Sequence, residues 1–584
     1  MAESLITQHI DLWTSAIEAK STAGRGSKNK FDLYGIKKLR ELILELAVRG
    51  KLVPQNQSDE PASILVDKII SIQNTLKTSE GLKTDASLTI KNDEYLIEIP
   101  NGWSLCRLGN LAKFIDYRGK TPNKVSSGVR LITAKNIKFG FISKSPEEYI
   151  SQEDYSTWMT RGFPRVNDIL FTTEAPLGNV AIIDIEDKFA LAQRAICFQF
   201  HEPKISKFML FQLMSPYFQK SIYDKQSGMT ALGIKASRLK EIVIILPPLA
   251  EQHRIVAKVD ELMALCDQLE QQTLTSIDAH ATLVETLLET LTNSADATEL
   301  EQNWARISEH FDTLFITEQS IDALKQTILQ LAVMGKLVRQ DPTDEPASVL
   351  LEKIAAEKAQ LIKDKKIKKE KPLPPITDEE KPYELPQGWK WCRVSHLMNN
   401  MRDISYGIIK LEQEPDVDGV PTLRCSDIKS GYIDLTGVRT VHPEIEKVYH
   451  RTRLQGGEVL VNIRGTLGGV ALVPKKLAGF NIAREVAMLP IHNSISGEYL
   501  VQLIASPFFW KKIEENLKGI AYKGLNLNNL RDLVMPIPPV AEQNKIADKT
   551  IYLLELCEQL KKHLQLLRKT QLYLTDTIIG EEFK

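Results

Sequence analysis

The sequence predicts an α+β protein written twice: two tandem mixed α/β modules separated by long helices that pair as an antiparallel coiled coil, with a pseudo-two-fold relation between the copies. Three observations lead there. Long blocks of sequence recur at a nearly constant offset, apolar residues in two stretches repeat at alternating steps of four and three, and short apolar strands alternate with Gly/Asn turns between them.

The repeat comes first because it constrains everything else. Leu39 to Ile69 returns as Leu324 to Ile354 with 19 of 31 positions identical, including Gly-Lys-Leu-Val and Asp-Glu-Pro-Ala-Ser. Ile-Pro-Asn-Gly-Trp from Ile99 returns as Leu-Pro-Gln-Gly-Trp from Leu385, and the segment from Leu239, which holds Pro-Pro-Leu-Ala-Glu-Gln, returns from Leu530 with Pro-Pro-Val-Ala-Glu-Gln. Offsets of 285 to 291 residues are too long for a solenoid unit and mark duplication of whole domains.

Domain bounds follow: an N-terminal helical repeat arm over 1–94, a first module over 95–248, central helices with a charged linker over 249–382, a second module over 383–539, and a C-terminal helix over 540–584. Proline before each Glu-Gln and acid in the first turn open the long helices. Ile255, Val259, Leu262, Cys266 and Leu269 then form one heptad seam. Ile546, Leu553, Cys557, Leu560, Leu564 and Leu567 form the other, with Thr550 its polar exception. A first helix running to about residue 292 spans on the order of 60 Å. It reads as a rigid spacer, with packing on a single domain as the alternative. Within the modules, at least one helix each is predicted around Phe208 to Tyr223 and Tyr499 to Leu517. The run from Lys363 to Pro382 reads as a solvated, proline-rich linker, with nucleic-acid binding the alternative.

The bulk properties exclude several classes. Six cysteines, none in a Cys-x-x-Cys pair, leave neither a zinc site nor a disulfide framework, so a reducing, cytoplasmic setting is expected. The start of the chain, with Glu3, Asp11 and Glu18, lacks the pattern of a signal peptide, and no run of about 18 apolar residues predicts a membrane span. A net charge of -1 conceals segregation, because both modules are net positive whereas 249–318 is net negative. Positive modules on an acidic helix suit proteins whose modules meet phosphates.

The two modules, the twice-placed Pro-Pro-x-Ala-Glu-Gln helix start and the repeated arm together resemble the specificity subunit of Type I restriction–modification enzymes, in a variant with an extended N-terminal repeat arm. The resemblance covers essentially the whole chain. It implies two target recognition domains that each read half of a split DNA sequence, with the helices as a ruler. It also implies two modification (methyltransferase) subunits and restriction subunits as partners, which would use S-adenosylmethionine, ATP and Mg2+; no cofactor is expected in this chain.

The residues agree that catalysis lies elsewhere. The Pro-Pro pairs continue as Leu-Ala, Val-Ala and Ile-Thr, without the aromatic residue that an adenine-methylating motif needs, and no Phe-x-Gly-x-Gly loop occurs. Gly119-Lys120-Thr121 resembles the end of a P-loop, but Phe114 occupies the place of its first glycine. No enzyme activity is therefore expected. A duplicated scaffold that binds protein partners without DNA is the alternative, and it requires apolar rather than basic module surfaces.

Base reading needs paired donors or acceptors, and phosphate contacts need Arg, Lys, hydroxyls and bare amides. In the first module these criteria select Tyr117, Arg118, Lys120, Thr133, Lys135, Asn136, Thr173, Arg194, Thr230 and Lys235. The second offers Tyr406, Arg424, Ser426, Asn462, Arg464, Thr466, Arg484, Tyr522 and Lys523. Trp103 and Trp389 read as core anchors. Cys266 and Cys557 read as buried apolar residues of the seams.

Overall fold

A computed structural model describes residues 7–19, 31–79, 90–91, 94–95, 97–117, 122–192, 194–225, 233–368, 373–465, 467–517 and 525–582. The chain divides into two compact units. One comprises residues 1–276 and 567–584, the other 277–566, so each contains the first part of one long helix and the last part of the other.

In the first unit, helices α1 (Tyr34–Val48) and α2 (Ala62–Ser79) form the arm. The module's strands are β1 (Ser104–Arg107), β2 (Ala112–Asp116), β3 (Val129–Ile132), β4 (Tyr149–Ile150), β5 (Ile169–Thr172), β6 (Val180–Ile182), β7 (Phe189–Leu191), β8 (Ala195–Phe200) and β9 (Val243–Leu246). A four-stranded antiparallel sheet has the order β2-β8-β5-β6, and a three-stranded sheet β4-β3-β7 contains the parallel pair β3–β7. β1 pairs with β9, returning the chain to the module's entrance just before the long helix α3 (Leu249–Asn293). All four residues of β5 are buried, which explains the apolar run of its first three, Ile169 to Phe171.

The second unit repeats this plan. Its arm helices are α4 (Glu318–Val333) and α5 (Ala347–Lys363). Its strands are β10 (Lys390–Arg393), β11 (Ser405–Tyr406), β12 (Val420–Leu423), β13 (Arg439–Val441), β14 (Val459–Asn462), β15 (Val470–Leu472), β16 (Asn481–Ile482), β17 (Val486–Leu489) and β18 (Val534–Ile537). They pair as β11-β17-β14-β15, β13-β12-β16 and β10-β18, the same order strand for strand, before the long helix α6 (Val540–Glu582).

The repeated motifs meet where each module joins its helix. The buried Trp103 indole donates to Glu251 Oε2 at 3.0 Å, and Trp389 donates to Glu542 Oε2 at the same distance. The neighbouring glutamine turns back on the proline pair: Gln252 Nε2 donates to Pro247 O at 2.8 Å, and Gln543 Nε2 to Pro538 O at 3.0 Å. The repeated Asp-Glu-Pro-Ala-Ser segment closes the same corner, with Asp59 paired to Arg254 at 2.6 Å and Asp344 to Lys545 at 3.2 Å. Gly50 (φ +68°) ends the α1 region against the tryptophan, where an added Cβ would lie 2.7 Å from Pro100 Cγ. Its copy Gly335 (φ +70°) would meet Pro386 at 2.6 Å. Both tryptophans are thus core anchors, as expected.

The seam residues are largely buried, and an arm helix lies against each long helix. In the first unit Ile255, Val259, Leu262, Cys266 and Leu269 are buried, and Arg40 on α1 reaches Asp267 at 2.6 Å and Glu270 at 2.8 Å. Burial raises the Cys266 thiol to about 11, consistent with an inert packing residue. In the second unit Leu553, Cys557, Leu560 and Leu564 pack with Ile321, Leu324 and Ile328 of α4 and with Val284, Leu288 and Leu291 of α3. Both long helices therefore share one apolar cluster. Leu567, assigned to the seam by spacing, is instead exposed. An α-helix drifts about 20° per heptad from a strict seven-residue repeat, which carries this position off the stripe.

Two other expectations are refined. Each predicted helical stretch holds two helices: Ser206–Met214 with Pro216–Asp224, and Gly497–Ala505 with Pro507–Leu517. Ser215 and Ser506 cap the second member of each pair by accepting from Phe218 N and Phe509 N, and proline at the first helical position supplies no N–H to continue the helix before it. The charged run is also partly anchored. Residues 369–372 lie outside the described residues, but Pro374 O accepts from Arg393 Nη2 at 3.1 Å and Glu380 pairs with Arg393 at 3.0 Å. Among the described residues, no helix is long and apolar enough to cross a membrane.

Burial raises the Glu542 carboxyl from its ordinary 4.5 to about 7, against the opposing pull of the Trp389 indole and Lys545. A carboxyl whose pKa rises on folding binds more protons in the folded state, so its contribution to stability is largest below 4.5 and declines as pH rises through about 7. Glu542→Gln keeps a carbonyl to accept from the indole but does not titrate. Across that window the wild type should lose on the order of 1–3 kcal/mol relative to the variant in urea unfolding. Parallel pH profiles would refute the shift.

Candidate nucleic-acid interface

Three segments converge at one end of the four-stranded sheet in each module. In the first they are the β5–β6 turn (173–179), Arg194 before β8, and the loop that enters the helix Ala236–Lys240. Thr173 N donates to Arg194 O at 3.0 Å, Ile234 N donates to Thr173 O at 3.0 Å, and Glu174 bridges Gly233. In the second, Ile463 N and Arg464 N donate to Glu485 O at 2.9 and 3.3 Å, and Leu525 N donates to Ile463 O at 2.9 Å. Backbone bonds hold this junction together in both copies, so its side chains are free to differ.

They differ in charge. Strand register aligns Glu174 with Arg464 and Arg194 with Glu485, so the acid and the base exchange places between the copies. In the first module Glu174 and Arg194 pair at 2.8 Å, both partly exposed, with Arg194 in the left-handed region (φ 71°). In the second, Arg464 is exposed and Glu485 half-buried, with no ion pair between them among the described residues, and the neighbouring Arg484 is exposed as well. One copy presents a closed carboxylate–guanidinium pair, the other the same two groups exchanged and unpaired, with a further guanidinium beside them.

The remaining candidates separate into surface and scaffold. Lys135 and Lys235 are exposed, as are Tyr406 and Ser426, although the Ser426 hydroxyl donates to Asp427 at 2.8 Å. Arg424 is half-buried and committed to Asp427 and to Gly437 O, the latter at 3.0 Å. In five candidates the polar atoms serve the fold. Tyr117 is buried, stacks on Trp158, donates to Gly162 O at 2.8 Å and accepts from Arg161 N at 2.9 Å. Asn136 is fully buried and donates to Ser143 O and Pro146 O, while its Oδ1 accepts from Thr133. That last bond also commits the half-buried Thr133, and Thr173 is buried in the junction itself. Asn462, 1% exposed, donates to Cys425 O at 2.9 Å and Ile428 O at 3.3 Å. Arg118, Lys120, Thr230, Thr466, Tyr522 and Lys523 lie outside the described residues.

Asn462 also reveals an element the sequence reading passed over. A hairpin over 137–142 in the first module matches 428–433 in the second, with isolated bridges Ile137↔Ile142 and Ile428↔Ile433. The carbonyl at its base receives a side-chain amide in both copies, but from opposite strands. Asn179, at the start of β6, donates to Ile137 O at 2.9 Å, whereas Asn462, at the end of β14, donates to Ile428 O. The facing positions are Thr172 and Gly469, and a Cβ on Gly469 would lie 2.2 Å from Asn462 Nδ2. The signal was present as Ile-Lys-Phe-Gly-Phe-Ile against Ile-Lys-Ser-Gly-Tyr-Ile, a short repeat inside the most diverged part of the modules.

Comparison with known proteins gives a consistent result. The description "Type I restriction modification DNA specificity domain" matches residues 100–279 and again 386–566, together more than half of the chain. The Type I restriction enzyme EcoAI specificity subunit of Escherichia coli is 39% identical, over 99% of this chain and 98% of its own. The EcoEI specificity subunit of the same species is 38% identical, over 99% and 98%. Such coverage extends the likeness beyond the two matched domains to the arm helices α1 and α2. The solved structure of the HsdS subunit from Thermoanaerobacter tengcongensis is 19% identical and covers 83% of this chain and 97% of that one, at a TM-score of 0.40.

Because the Asn462 amide ties a buried carbonyl, Asn462→Ala should destabilise the chain by about 1–3 kcal/mol. Urea unfolding measures this, and an unchanged midpoint would show that the tie is dispensable.

Proposed function

The chain belongs to the family of Type I restriction–modification DNA specificity subunits, and we propose that each of its two modules reads one half of a split DNA target. The observation that carries this reading is a duplicated backbone junction with a diverged tip: Glu174 with Arg194 in one module, Arg464 with Glu485 and the adjacent Arg484 in the other. An arginine in an exposed turn can grip guanine through paired donors, and a carboxylate can accept from the cytosine amino group. Two copies of one reader with unlike tips suit two unlike half-sites.

The chain specifies rather than catalyses, and it acts with other subunits of a restriction–modification enzyme. We assign the docking of two modification subunits to the long helices and arms, and we assign restriction subunits to the fuller complex. S-adenosylmethionine belongs with the former, ATP and Mg2+ with the latter. The long helices serve as the spacer that sets the gap between half-sites. The complex would work in the cytoplasm, where the host DNA lies. Exposed Arg464, Arg484, Lys135 and Lys235 on the modules favour DNA over the protein-scaffold alternative, which calls for apolar faces.

Co-expression with the partner methyltransferase, followed by single-molecule mapping of methylated adenines, should yield a bipartite motif with a constant gap that disappears without this chain. A stable complex without any motif would overturn the reading. Once the motif is known, Arg464→Ala should weaken binding to it by about 1–3 kcal/mol and relax discrimination at one base pair of a single half-site. Equal affinity in a fluorescence anisotropy titration would remove Arg464 from the recognition surface.

A further inference from the structure

The hairpins at 137–142 and 428–433 present an aromatic ring to solvent at the same position in both modules. Phe141 and Tyr432 are each 60% exposed. Among the described residues of the modules, this is the one large apolar position that is exposed in both copies. A single accidental surface ring needs no explanation, but the same ring in both copies, amid loops that have otherwise diverged, does.

The turn that carries each ring is set by the backbone. Lys138 N donates to Phe141 O at 2.9 Å, and Lys429 N donates to Tyr432 O at 3.0 Å, closing a four-residue turn. Its third residue is Gly140 (φ +97°) or Gly431 (φ +89°), the left-handed conformation that such a turn requires. The same glycines donate at 2.8 Å to Val180 O and Val470 O on the edge of the four-stranded sheet. The Asn179 and Asn462 amides hold the hairpin base from opposite sides. Each ring is thus fixed in place before any partner arrives, with a lysine at the first position of its turn and exposed Lys135 nearby in the first module.

We propose that Phe141 and Tyr432 are apolar wedges, one per module, that enter the DNA duplex at a base step and contact it independently of sequence. The division of labour supports this: the junction positions 174/464 change charge between copies, as base-reading positions should, whereas the hairpin keeps its Lys-x-Gly-aromatic pattern. Side chains that unstack a step are apolar or aromatic, and base–aromatic stacking tolerates any sequence because every base presents a π-face. The flanking lysine supplies attraction to phosphate. The inference rests on the DNA-reading function proposed above.

The test uses the full chain and duplexes carrying its mapped motif, with 2-aminopurine replacing adenine at successive positions of each half-site. If the wild type fails to distinguish the motif from a scrambled duplex, it is the DNA-reading function that fails. Given that discrimination, Phe141→Ala and Tyr432→Ala should each weaken binding between about five- and a hundredfold. They should also abolish the rise in 2-aminopurine fluorescence in one half-site, while the preference for motif over scrambled duplex persists. Tyr432→Phe should bind as the wild type does. Unchanged affinity of the alanine variants would overturn the proposal, as would a Tyr432→Phe variant as weak as alanine, which would mean that the hydroxyl makes the contact. Loss of assembly with the methyltransferase subunit in the absence of DNA would overturn it too, by making the rings a protein-docking surface. Both side chains lie outside the core, so unchanged thermal midpoints are expected and confirm folded variants.

Discussion

A buried indole N–H to carboxylate hydrogen bond is the contact on which the rest of each unit depends. Trp103 with Glu251, and Trp389 with Glu542, bind the entrance of a module to the first turn of its long helix. The closing strand pair, β1 with β9 or β10 with β18, brings both ends of the module to this one point. Everything the module presents at its far end is therefore aimed by the geometry of this corner. The joint is an expensive one, since it removes a carboxylate from water, and the cost appears as the raised pKa of Glu542. The aspartate of the Asp-Glu-Pro-Ala-Ser segment adds to that cost electrostatically while securing Arg254 or Lys545 beside it. Motifs that look unrelated in the sequence are thus components of one corner, which explains why they recur together.

Periodicity and repetition made the scaffold readable. A 3.6-residue stripe, a proline pair before an acid, and a duplicated block are signals carried by several residues at once, so single exceptions do not erase them. The helix breaks at Ser215-Pro216 and Ser506-Pro507 were missed because the apolar pattern continues through them. Only the missing amide of the proline and the serine cap end one helix and begin the next. Leu567 was misplaced because heptad counting ignores the slow rotation of a straight helix.

The interface was harder to read, for a physical reason. Tyr117, Asn136 and Asn462 have the hydrogen-bonding groups that DNA contacts need, but those same groups are what a tight turn uses to satisfy its own backbone. Residue type cannot separate the two uses; burial does. Asn179 and Asn462 illustrate the point, because the copies answer one backbone demand with an amide from different strands, so comparing aligned positions alone hides the shared requirement. The hairpin aromatics were overlooked for the opposite reason. Phe141 and Tyr432 look like ordinary core residues in a strand-forming sequence, and only their exposure sets them apart.

Duplication followed by divergence of the tips leaves the two modules energetically unlike. Arg464 and Arg484 stand ready to meet an anion, whereas Arg194 must first leave Glu174. That pair is half exposed, and exposed ion pairs contribute only about 0–1 kcal/mol, so releasing Arg194 toward a phosphate costs little. The larger consequence is positional. Glu174 and Arg194 cancel at the tip of the first module, whereas Arg464 and Arg484 outweigh Glu485 at the tip of the second. On the proposed reading, the second module would draw more of its affinity from charge and lose more of it in salt, while the first would rely on base contacts and shape. The same junction thus supports two different balances of affinity and selectivity, and the fold need not change to accommodate either.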